Sequence, residues 1–83
     1  MAKRTTLYRK TVQISEEYLG PAGERFIRRQ ITTHLNIRPE TLDKDDMNKL
    51  INWSTIAFAL LTNDQDVIES FTEDLQSLAF KDT

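Results

Sequence analysis

Met47-Asn48-Lys49-Leu50-Ile51-Asn52-Trp53-Ser54-Thr55-Ile56-Ala57-Phe58-Ala59-Leu60-Leu61 is the stretch on which the fold turns. At about 100° per residue, its apolar side chains cover well over half of a helix circumference. They are Met47, Leu50, Ile51, Trp53, Ile56, Ala57, Phe58, Leu60 and Leu61. A helix apolar most of the way round is buried among neighbours or shared with another chain. The segment therefore reads as the central helix of the domain, over 44–61. Asp43 suits its N-cap, with Asp46 three residues on, and Asp45 and Asp46 favour the positive end of the helix dipole.

Downstream, Thr62-Asn63-Asp64-Gln65 has the spacing of a capping box, Thr62 with Gln65. It opens a helix over about 64–79. Val67, Ile68, Phe71, Leu75 and Leu78 form its single apolar stripe, and Asp64, Asp66, Glu69, Glu73 and Asp74 make the rest acidic. Upstream, Gly20-Pro21 starts a helix over about 21–36, since proline suits a first helical position. Phe26, Ile27, Ile31 and Leu35 share one side of it with Gln30 and His34. Arg25, Arg28, Arg29 and Thr32 lie opposite. Ser15 reads as the N-cap of a single turn, with Glu16 and Glu17 following.

Residues 6–14 alternate. Tyr8, Val12 and Ile14 fall on one face with Lys10; Arg9, Thr11 and Gln13 fall on the other with Leu7. That is the period of a half-buried strand. A lone strand must find a partner for its backbone groups, in a symmetry mate or another protein, or else fray. The expected fold is thus mainly α: one domain over 1–83, a three-helix bundle around the apolar helix, preceded by a basic arm or short β-strand over 1–14.

Composition narrows the function. Hydrophobic residues make up 39% and charged residues 29%, which suits a soluble domain with a modest core. Cysteine is absent, so disulfides, thiolate metal sites and thiol nucleophiles are excluded. The longest apolar run, Ile56 to Leu61, is far short of the ~20 residues of a membrane span. The basic start, Met1 to Thr6, leads into no apolar signal region, and a reducing cytoplasm is the expected compartment. The single histidine, His34, reads as a partly buried core histidine, and no glycine-rich phosphate loop is present. No catalytic site and no cofactor are expected. Glu40, Asp43, Asp45 and Asp46 cluster, but they lack the mid-loop glycine of a calcium loop and run into a helix. They read as helix-start acids, and no metal is expected.

The net charge of −2 conceals a split. Residues 1–38 hold eight basic groups against three acidic ones; residues 39–83 hold three against ten. Such a split orients a molecule towards its partners more than it affects the fold. Arg25, Arg28 and Arg29 form a basic face suited to an acidic partner. Trp53, Ile56, Leu60 and Phe80 are the candidate apolar interface, with Trp53 readable as a core anchor or as an interface residue. The expected function is a small non-catalytic regulatory or adaptor domain acting by protein–protein contact, self-associating as a homodimer. The alternative is a dimeric DNA-binding regulator. In that reading Lys3, Arg4, Arg9 and Lys10, together with Arg25, Arg28 and Arg29 of the following helix, meet phosphates, and Arg9, Thr11 and Gln13 reach bases from a two-stranded ribbon. Membrane binding is not expected: the arginine-backed helix carries too few large apolar residues and too little lysine.

Overall fold

The computed structural model describes residues 2–81, and side chains from 7 to 79. It is all-helical. Four helices run α1 Ala2–Leu19, α2 Ala22–Gln30, α3 Lys44–Ala59 and α4 Gln65–Lys81. They pack in a ring: α1 lies against α2 and α4, and α3 against α4 and the end of α2. Each helix supplies one aromatic ring to a shared cluster. Phe71 of α4 stands 5.3 Å from Tyr18, 6.2 Å from Phe26 and 4.4 Å from Phe58, measured between ring centroids. Around it Ile27, Ile31, Leu42, Leu50 and Leu75 are fully buried.

The strand expected over 6–14 is replaced by the middle of α1. Leu7, Thr11 and Ser15 recur every four residues and are all buried. Tyr8, Val12, Ile14, Tyr18 and Leu19 pack beside them. At 100° per residue these eight side chains occupy an arc of about 160°, and Arg9, Lys10, Gln13, Glu16 and Glu17 occupy the other side. Ser15 is therefore no cap but a mid-helix contact. Thr11 is accommodated because its hydroxyl donates to the Leu7 carbonyl oxygen at 2.9 Å.

Small residues are needed here because α1 and α2 approach closely. Gly23 is buried against the α1 backbone, where an added Cβ would lie 2.6 Å from the Glu16 nitrogen and 2.7 Å from the Ser15 carbonyl carbon. The corner between the helices is tight. Gly20 adopts φ +64°, a left-handed conformation that glycine takes without steric penalty, and its N–H donates to the Glu16 carbonyl at 2.8 Å. Pro21 follows and leads directly into α2.

Helix α2 does not stop at Gln30. It widens into a π-turn over Ile31–Leu35, closed by the Asn36 N–H donating to the Ile31 carbonyl at 3.0 Å, with Asn36 at φ 59°. Asparagine tolerates that left-handed conformation better than most side chains do. A short 3-10 turn, Pro39–Thr41, then carries the chain to Leu42, which plugs the core. Asp43 caps α3 reciprocally with Asp46: the Asp45 N–H donates to Asp43 Oδ1 at 3.0 Å, and the Asp43 N–H to Asp46 Oδ2 at 3.1 Å. At α4 the cap is Asp64 rather than the Thr62–Gln65 pair. Its Oδ1 accepts from the N–H groups of Asp66 and Val67 at 3.0 and 3.3 Å. Thr62 Oγ1 instead accepts from the Asp64 N–H at 3.1 Å.

Candidate interaction surface

Helix α3 buries Met47, Leu50, Ile51, Ser54 and Phe58 on its inner side. Its apolar residues outnumber the positions its neighbours can cover, and the surplus faces outward. Trp53 is 40% exposed, Ile56 56%, Leu60 83% and Leu61 61%. Trp53, Ile56 and Leu60 stand at i, i+3 and i+7, a spacing that lines them along one side of the helix. They run for about 11 Å at 1.5 Å per residue, with Leu61 extending the end.

Two features hold this ridge in place. On one side the π-turn projects His34 onto Trp53: the rings are parallel within 4° with centroids 3.9 Å apart. His34 is exposed and stacked, not the partly buried histidine its place in the sequence suggests. On the other side a groove of about 470 Å3 opens between α3 and α4, lined by Asn52, Trp53, Thr55, Ile56, Thr72 and Gln76, with Ile51 beneath. Thr72 Oγ1 donates to the Ile68 carbonyl at 2.9 Å, so the Thr55 hydroxyl is the donor in the 2.9 Å contact between the two threonines. That bond ties the two walls together. The outer edge of α4 is acidic: Glu69 and Glu73 are exposed one turn before Thr72 and Gln76 respectively.

The basic residues of the first half of the chain that the sequence singles out lie on α1 and α2. Arg25, Arg28 and Arg29 are exposed on α2, and Arg9, Lys10 and Gln13 on α1. Arg9 and Gln13, four apart on a helix, still share a face; Thr11 does not, because it is fully buried with its hydroxyl turned back on its own helix. The ribbon that was to bring Arg9, Thr11 and Gln13 together is thus absent. At the α1–α2 seam the Tyr8 hydroxyl reaches Glu24 at 3.5 Å. Burial raises its pKa, while the nearby Arg28 opposes that rise. Lys3, Arg4 and Phe80 have side chains outside the described residues.

Several features are invisible to composition and periodicity. Tyr18 donates to Asp74 Oδ2 at 2.6 Å across α1 and α4. Desolvation first, then the carboxylate partner, pushes its hydroxyl up to about 12. Ser15 Oγ, Gln30 Oε1 and Ser54 Oγ are buried with no hydrogen-bond partner. Among the described residues no three His, Asp or Glu side chains converge as a metal site, and no helix is long and apolar enough to cross a membrane. Comparison of the chain with family models, with curated proteins and with solved structures gives no match.

Proposed function

We propose that this chain is a small non-catalytic regulatory or adaptor domain that works by protein–protein contact, with the α3–α4 face as its docking surface. The observation that carries the reading is the exposed ridge of Trp53, Ile56, Leu60 and Leu61. Isolated exposed hydrophobic residues are ordinary on a protein surface; four large ones along α3 and the turn that ends it, beside a groove, mark a contact site. Burying a fully exposed side chain of this kind contributes about 1.5–3 kcal/mol, and a partner gains the share that each of these still exposes. Ordering and lost translational freedom offset much of the total, so the face suits a reversible contact. The arginine face of α2 is a separate, purely polar surface and offers no comparable apolar anchor.

The test is site-specific photo-crosslinking in cells that express the chain, from a reactive phenylalanine analogue placed at Ile56 and, separately, at Arg28. Discrete protein adducts from position 56 are expected. Adducts from position 28 alone, or none from position 56, refute the reading. Sedimentation of the purified chain shows whether an adduct at 56 is a second copy.

A further inference from the structure

We infer that the occupant of the α3–α4 face is an amphipathic helix of another protein, with basic residues flanking its apolar stripe. This rests on the docking reading above and adds the chemistry of the partner. The ridge Trp53, Ile56 and Leu60 has the i, i+3, i+7 spacing that a helix with a similar stripe meets side by side. The α3–α4 groove beside it gives that stripe a slot to enter.

Charge selects the flank. Asp66, Glu69 and Glu73 are exposed on α4, and the helix carries no cation before Lys81. Lys49 is the exposed cation in line with Ile56 on α3. A helix lying in the groove with lysine or arginine on its α4 side meets opposite charge; one with glutamate there meets like charge.

The same residues argue against a second copy. This chain's own arginine-backed helix, α2, turns Phe26, Ile27 and Ile31 into the core. It therefore has no free apolar stripe to offer. Pairing the α3–α4 face with itself would gather two sets of carboxylates around one apolar seam.

The experiment is fluorescence anisotropy with two labelled 18-residue designed helices. Both carry leucine at i, i+3 or i+4, and i+7; one has lysine flanks and the other glutamate flanks. The folded chain is titrated against each. The lysine-flanked helix is expected to bind about tenfold tighter, with a difference that shrinks in high salt. The double variant Ile56→Asp, Leu60→Asp is expected to weaken it at least tenfold. The double variant Glu69→Lys, Glu73→Lys is expected to abolish or invert the flank preference while retaining the apolar contact. Equal affinity for both helices, no binding of either, or a preference untouched by the Glu69 and Glu73 changes overturns the inference. A dimer in sedimentation that Ile56→Asp dissolves also overturns it, by giving the face to a second copy. Adducts from Ile56 in the crosslinking experiment, with no flank preference here, sink this inference and leave the docking reading standing.

Discussion

Replacing Gly23 with alanine tests the α1–α2 packing directly. A Cβ at this position lies 2.6 Å from the Glu16 nitrogen, 2.7 Å from the Ser15 carbonyl carbon and 2.8 Å from the Glu16 Cα. All three atoms are backbone, so no rotamer change relieves the contact. The helices must separate by most of an ångström to restore van der Waals distance. Overpacking of this kind costs about 1–3 kcal/mol, and a rigid obstacle places it near the upper end. Alanine returns about 1 kcal/mol through its better helix propensity. The net loss is therefore about 2 kcal/mol, which for a domain of this size lowers Tm by about 8–16 °C. Thermal and urea unfolding followed by circular dichroism at 222 nm measures it. Gly20→Ala is the control: its φ of +64° is unfavourable for alanine, but nothing lies within 4 Å of the new Cβ. That variant should lose about 1–2 kcal/mol from the left-handed conformation alone. A Gly23→Ala protein as stable as the parent, or more stable, would show that α1 and α2 do not approach as described.

Three further outcomes follow from the same contacts. Tyr18 has its pKa raised from 10 to about 12, so its contribution to stability is complete below pH 10 and is lost as pH rises towards 12; urea midpoints across that range should fall less steeply in Tyr18→Phe than in the parent. Ser15→Ala and Ser54→Ala each remove a buried hydroxyl without a partner and add helix propensity, so each should stabilise by about 1 kcal/mol in chemical denaturation. Ile56→Asp and Leu60→Asp should change stability by no more than about 0.5 kcal/mol, whereas Leu50→Ala in the core should cost about 2–5 kcal/mol; a large loss at position 56 or 60 would mean that the ridge is structural.

What the sequence disclosed, and what it hid, divides by residue size. Helices α2, α3 and α4 announce themselves through large apolar side chains at helical spacing and through Pro21 and Asp43 at their starts. Helix α1 does not. Its buried positions include Thr11 and Ser15, which composition counts as polar, and over the nine residues 6–14 the two periods compete. Lys10 was the discriminating residue: a strand puts it among Tyr8, Val12 and Ile14, while a helix moves it to the polar side. Gly23 was the second clue. A helix that starts with Pro21 and carries a glycine two residues later needs a close neighbour, and an uninterrupted α1 ending at Gly20 supplies one.

The surface follows the same logic in reverse. That α3 has more apolar circumference than two or three neighbours can cover is legible from spacing alone, and Trp53, Ile56 and Leu60 are what remains uncovered. The position of His34 is not legible, because a regular α-helix keeps it in line with Ile27 and Ile31. The π-turn adds a residue to the last turn, which rotates His34 out of that line and onto the indole of Trp53. A parallel stack at 3.9 Å covers one face of the indole. It leaves the opposite face and Ile56 for a partner, so a local irregularity in α2 decides which side of the α3 ridge stays open.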